Sequence, residues 1–242
     1  MSRIKFLLLV CFCTTYFSSN AQFSPTYSDA GMWNTLGIDY AINKKVSILF
    51  AEELRIKENY SRLNLFYTNI GIEYSFNKYI KTSLVYRPIQ KFADDNTISN
   101  RHRLMWDASI KYKIKKISFS YRHRLQVEAK NIQSSELGHV PECYSRHKVE
   151  IGYQATKKIN PYFAFETRFQ YYDPRLVTAY HKFDRMRFQL GCDYKLNGFS
   201  KIGVYYLFQQ LFNVNSNENL YITGLEYSIS LKDSPLFKKK KK

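Results

Sequence analysis

The chain is poor in the residues that divide a protein into parts. Its 242 residues include nine glycines and six prolines, with no Gly-, Ser- or Pro-rich stretch that reads as a linker, so a single domain is the simplest reading. No later window holds eighteen consecutive apolar residues, which excludes a spanning helix. Cysteine is scarce: of four, Cys11 and Cys13 fall in an N-terminal leader, which leaves Cys143 in a predicted loop and Cys192 on a predicted apolar face. That distribution gives no disulfide framework. The alternation described below sets no serine or threonine beside a histidine, so no nucleophile has its base. Neither catalysis, a metal nor a cofactor is expected.

What is abundant is positive charge and aromatic area. The formal net charge is +17, and aromatics make up 17% of the chain, with 21 Tyr and 18 Phe. Charge alone would suggest nucleic acid, but the basic residues alternate with apolar ones instead of forming a patch. The start of the chain has Arg3 and Lys5, an apolar run from Phe6 to Phe12, and Ser19-Asn20-Ala21. It reads as a secretory signal peptide cut after Ala21. Neither cysteine of the leader follows a small residue, which argues against a lipoprotein anchor. Residues 1–21 are thus the leader, 22–231 the folded domain and 232–242 a tail. The tail's run from Lys238 to Lys242 repels itself and is expected to be disordered.

The clearest pattern runs from Phe183 to Gln210. Arg185, Arg187, Gln189, Gly191 and Asp193 share one parity, and Met186, Phe188, Leu190, Cys192 and Tyr194 the other. After Asn197-Gly198, a strong hairpin signal, Ile202, Val204, Tyr206 and Phe208 continue the apolar face. Each arm reaches about ten residues, the length of a tilted strand that crosses a bilayer. The same period recurs from Leu36 to Leu231, with a bulge expected at Glu52 and a turn at Asn160-Pro161. The fold class is therefore all-β: a single antiparallel transmembrane β-barrel of about 12 strands (10–12), with a charged lumen and an apolar aromatic exterior. Aromatic girdles account for the aromatic excess, and alternating short turns and longer loops assign the periplasmic and external ends. About eleven strands can be counted. Because such barrels normally have an even number, residues 22–31 are expected to add a strand or a lumen-threading arm, with both termini periplasmic. A soluble lipocalin-type barrel would need the opposite polarity, with the charged face outward.

The inward charged columns are the candidate site: Glu53, Arg55, Arg87, Arg101, Arg103, Asp107, Arg122, Arg124, Glu128, Arg146, Glu150, Glu166, Arg168, Arg185, Arg187 and Glu226. Guanidinium forks pair bidentately with carboxylates and stay charged in a partly dry interior. They read as a salt-bridged network that fixes register, or as a narrow, porin-like passage that prefers anions because Arg exceeds Glu. The five histidines, His102, His123, His139, His147 and His181, fall in loops or in the external half. His123 and His147 are expected as diagonal neighbours facing outward, able to contact lipopolysaccharide.

Several short segments resemble the family catalogued as domain of unknown function 2490, outer-membrane barrels common in the Bacteroidetes. They are Trp33, Glu53-Leu54-Arg55, Asn100-Arg101-His102-Arg103, Tyr121-Arg122-His123-Arg124, Pro161 to Glu166, Arg185-Met186-Arg187 with Gly191, and Tyr205-Tyr206. The resemblance implies a barrel in a Gram-negative outer membrane and carries no activity. The last strand also resembles the signal read by the barrel-assembly machinery, through Gly224, Tyr227 and Ile229. It departs from that pattern at Ile222. Expected partners are outer-membrane lipid, lipopolysaccharide and that machinery, with no nucleic acid. The alternatives are a structural or assembly component without transport and a lipid-acting enzyme.

Overall fold

The computed structural model describes residues 26–93, 95, 97–130, 141–172, 182–212 and 217–231. The leader, the run from Lys238 to Lys242, His139 and His181 lie outside them. Eleven strands form: β1 (Thr26–Ala41), β2 (Val46–Lys57), β3 (Arg62–Ser75), β4 (Ile80–Phe92), β5 (Ile98–Ile114), β6 (Ile117–Lys130), β7 (Glu142–Tyr153), β8 (Ile159–Tyr172), β9 (Lys182–Lys195), β10 (Ser200–Leu211) and β11 (Asn217–Ser230). Each pairs with its chain neighbours, and β1 against β11 closes the barrel. At 12 to 17 residues, the strands run past the ten or so expected.

Closure is where the structure departs from a purely antiparallel barrel. Up-and-down connection makes successive strands alternate in direction, so with eleven strands the first and last point the same way. β1 and β11 therefore pair in parallel, from Thr26 opposite Asn217 to Asp39 opposite Ser230. No twelfth strand occurs among the described residues, and residues 26–31 are simply the start of β1. The described chain accordingly begins at one rim and ends at the other, so its two ends do not share a side.

Four of the five connections at the rim where β1 ends use one local device. Asn43 Oδ1 accepts from the amides of Lys45 and Val46 at 2.8 and 2.9 Å. Asn77 does the same for Tyr79 and Ile80, and Asn197 for Phe199 and Ser200. Thr156 Oγ1 holds Lys158 and Ile159. The side-chain oxygen satisfies amides the turn leaves free, so Asn197 acts as an acceptor, without the positive φ of a two-residue Asn-Gly turn. The fifth connection, Lys115-Lys116, does use one, with Lys115 at φ 52°.

Three other expectations change. Asn160 and Pro161 lie inside β8, the turn before it spanning residues 154–158, and Cys143 lies in β7. Both Cys143 and Cys192 are free. The ladder runs unbroken through Glu52, which stays outward and accepts from Thr68 Oγ1 at 2.8 Å; the register shifts instead between Arg55 and Ile56. A hydrogen-bonded partner removes the need to turn Glu52 inward. At the opposite rim, Glu58, Asn59 and Tyr60 take φ of 56°, 52° and 68°. Buried Asp29 holds that turn, its two carboxylate oxygens accepting from the amides of Glu58 and Asn59 at 2.9 and 3.0 Å.

The interior carries an apolar cluster of Trp33, Tyr205, Leu207 and Ile222. Gly224 lets the Tyr205 ring lie flat on β11: a Cβ there would sit 1.9 Å from Cζ and 2.2 to 2.3 Å from the Cε atoms. Gly224, proposed above for assembly, thus has a packing role of its own. Gly224→Ala is expected to lift the ring out of the cluster and cost about 1–3 kcal/mol, read as a lower urea midpoint of the folded barrel. Adding Tyr205→Leu should restore part of the loss; a wild-type midpoint for Gly224→Ala alone would refute the contact.

Candidate functional site

Every charged residue singled out above projects to the interior, because a two-residue period sends alternate side chains to one face. Glu166 on β8 is the hub. It takes Arg122 at 2.7 Å, Arg187 at 3.1 Å and Arg146 in a still closer contact, from β6, β9 and β7 respectively. Asp107 receives both arms of Arg124 at 2.7 Å each, a bidentate pair. Glu128 takes Arg103 at 2.5 Å and Arg101 at 3.3 Å, and Glu53 takes Arg55 at 2.6 Å.

Other residues differ from simple Arg–Glu pairing. Glu150 meets Lys148 at 3.1 Å, and Glu226 makes no ion pair among the described residues. Arg87 donates to Asn69 Oδ1 and lies 4.0 Å over the Tyr67 ring, with no carboxylate paired to it among the described residues. Arg168 binds Asp184, which strict alternation assigns to the outer face. A register shift between Arg168 and Phe169, opposite Arg185 and Phe183, turns Asp184 inward. Bulges re-aim side chains in this way, and the sequence shows the break only as two charged neighbours, Asp184-Arg185. Arg185 Nε is buried without a hydrogen-bond partner among the described residues.

Two cavities lie along the interior. One, of about 220 Å³, occupies the short-turn half, and the other, of about 630 Å³, opens toward the rim where β1 begins. Trp33, Arg55, Arg146 and Arg187 line both. They form a layer across the lumen: Arg55 Cζ stacks 3.5 Å over the Trp33 ring, Arg187 lies 5.1 Å from it, and Arg187 links on to Glu166 and Arg146. Charge is unequally shared. Nine basic and five acidic side chains line the larger cavity, whereas six and five line the smaller.

The outer face holds a second cluster. His123 and His147 stand directly opposite one another, not diagonally, with ring centroids 4.7 Å apart. Between them sits Ser145, fully covered. Its Oγ lies 3.0 Å from His147 Nε2 and 3.4 Å from His123 Nε2, and Tyr121 OH lies 2.7 Å from His147 Nδ1. A serine therefore does stand beside these histidines. The signal was present as Ser145-x-His147, two residues apart and so on one face, but the residues across the strand pair had to be known as well. Tyr86 and His102 form a similar pair at 2.6 Å without a serine. No group of three metal-ligating side chains occurs among the described residues.

No curated protein matches the chain at a significant level. A family model matches residues 30–220, from the early part of β1 into β11 and so nearly the whole barrel. On the strength of that match, the chain belongs to the family described as protein of unknown function DUF2490.

Proposed function

We propose that the protein is an outer-membrane barrel whose lumen is a narrow, normally closed passage with a preference for small anions. The observation that carries the membrane reading is inverted polarity. Leu190 is 65% exposed and Ile72 59%, with Leu84, Trp106, Ile110 and Val204 also outward, while the ion pairs lie inside. A barrel in water would hide the first set and expose the second. Strands of at least 12 residues reach about 40 Å along their length, enough to cross a hydrocarbon core of about 30 Å when tilted. The leader read from residues 1–21 supports the same location, and the basic surplus of the larger cavity supports the anion preference.

Planar-bilayer recording tests the lumen. The folded protein should give small, infrequent, anion-selective events, because the Trp33–Arg55–Arg187–Glu166 layer separates the two cavities. Arg101→Ala with Arg185→Ala should shift the reversal potential toward zero by removing charge from the larger cavity. Large cation-selective conductance overturns this reading, and complete electrical silence of a folded, inserted barrel leaves a structural role in its place.

A further inference from the structure

We propose that Ser145, His147 and Tyr121 form an acyl-ester hydrolase site on the outer face of β6 and β7, acting on lipid esters at the membrane boundary. The proposal rests on the reading above that this face meets lipid. Three features carry it. The first is the nucleophile–base–orienter order: Ser145 Oγ is 3.0 Å from His147 Nε2, and His147 Nδ1 is 2.7 Å from the Tyr121 hydroxyl. With its proton on Nδ1, His147 donates to the Tyr121 oxygen and leaves Nε2 free to accept from Ser145, the arrangement that activates a serine. Tyr121 does not react. It is a positioning residue, fixing tautomer and ring orientation.

The second feature is His123. Its Nε2 lies 3.4 Å from Ser145 Oγ, and its ring packs beside that of His147 at 4.7 Å and against Trp106 at 6.3 Å. Ser145 is fully covered, and the Ser145 contact is the one hydrogen bond His123 makes among the described residues. Rotation of that imidazole uncovers Oγ and leaves an N–H donor beside the space where a substrate carbonyl would lie, the role of an oxyanion donor. The third is position. Ser145 is the fourth residue of β7, about 10 Å from the strand's end. It is flanked by the exposed apolar side chains of Leu125, Val127 and Trp106. Acyl chains would lie against these while the ester linkage stands near the polar boundary.

The reaction balances without a cofactor. Ser145 Oγ attacks the ester carbonyl carbon as its proton passes to His147 Nε2, and His123 N–H stabilises the oxyanion. The carbon–oxygen bond to the alcohol breaks, and the alcohol leaves with the proton from His147. Water, deprotonated by His147, then attacks the acyl-serine, releasing the fatty acid and restoring Ser145. Phospholipid and lipopolysaccharide both carry such esters.

The test uses the folded barrel in detergent. An alkyl fluorophosphonate should form one adduct, located at Ser145 by peptide mass spectrometry and absent in Ser145→Ala. Fatty acid release is measured separately from phosphatidylethanolamine micelles and from lipopolysaccharide, which tells the two ester sources apart. His147→Asn should slow labelling and release by at least about a hundredfold. Tyr121→Phe should lower release by roughly tenfold and displace the acidic limb of the pH profile, which the protonation of His147 sets. His102→Asn, on the serine-free pair, should match wild type. Heat-modifiable gel mobility shows that each variant is folded. A folded wild type with neither adduct nor release from either lipid overturns the site, as does release that survives Ser145→Ala. The membrane reading fails separately, by absence of the protein from the outer-membrane fraction, and fluorophosphonate labelling in detergent is independent of that outcome.

Discussion

Replacing Glu166 by glutamine is expected to destabilise the folded barrel by about 3–5 kcal/mol, the cost of leaving buried charge without its partner. One carboxylate here faces three guanidiniums, Arg122, Arg146 and Arg187. The amide keeps the shape and removes the charge, so three cations drawn from three strands would repel one another in a poorly hydrated lumen. The measurement is the urea midpoint of the folded form in detergent, with an unchanged slope showing that compactness is retained. A shift of less than about 1 kcal/mol would mean that water or counter-ions already screen the cluster. Adding Arg146→Met should recover part of the loss, because it removes the most closely held of the surplus charges. A double variant no better than Glu166→Gln alone would contradict the coupling.

Leu190→Arg is expected to cost about 2–4 kcal/mol in a lipid bilayer, the penalty for a cation at the mid-depth of a barrel's outer face. Leu190 is 65% exposed, and its register partners Phe163 on β8 and Tyr206 on β10 lie on the same outer face. In a water-soluble barrel, the same substitution would exchange an exposed leucine for a solvated charge and be neutral or mildly favourable. The sign of the change therefore distinguishes the two environments. Reversible folding into lipid vesicles is the assay. Unaltered or increased stability of the Leu190→Arg variant in vesicles would overturn the membrane reading.

The sequence by itself determined which side of each strand is charged. A two-residue period sends Arg185 and Arg187 one way and Met186 and Phe188 the other, whatever the strand pairs with. From that alone came the all-β class, the inward placement of the sixteen charged residues and the outward placement of His123 and His147, whereas the family was legible in short segments such as Tyr121 to Arg124 and Arg185 to Arg187. Tertiary structure decided everything that depends on which residue lies opposite which. Parity cannot say that Glu166 collects Arg122, Arg146 and Arg187, because register between strands is a long-range choice. Nor could it show that an odd number of strands closes in parallel, since that depends on where β1 begins. The bulge that turns Asp184 inward sits between two otherwise regular strand segments. Ser145 carried the right parity all along, yet its meaning came from Tyr121 and His123 across the ladder, residues 24 and 22 positions earlier in the chain. Alternation is a local steric property that each strand expresses alone, whereas ion pairs, closure and the serine–histidine contact exist only once hydrogen-bonded neighbours have fixed their register.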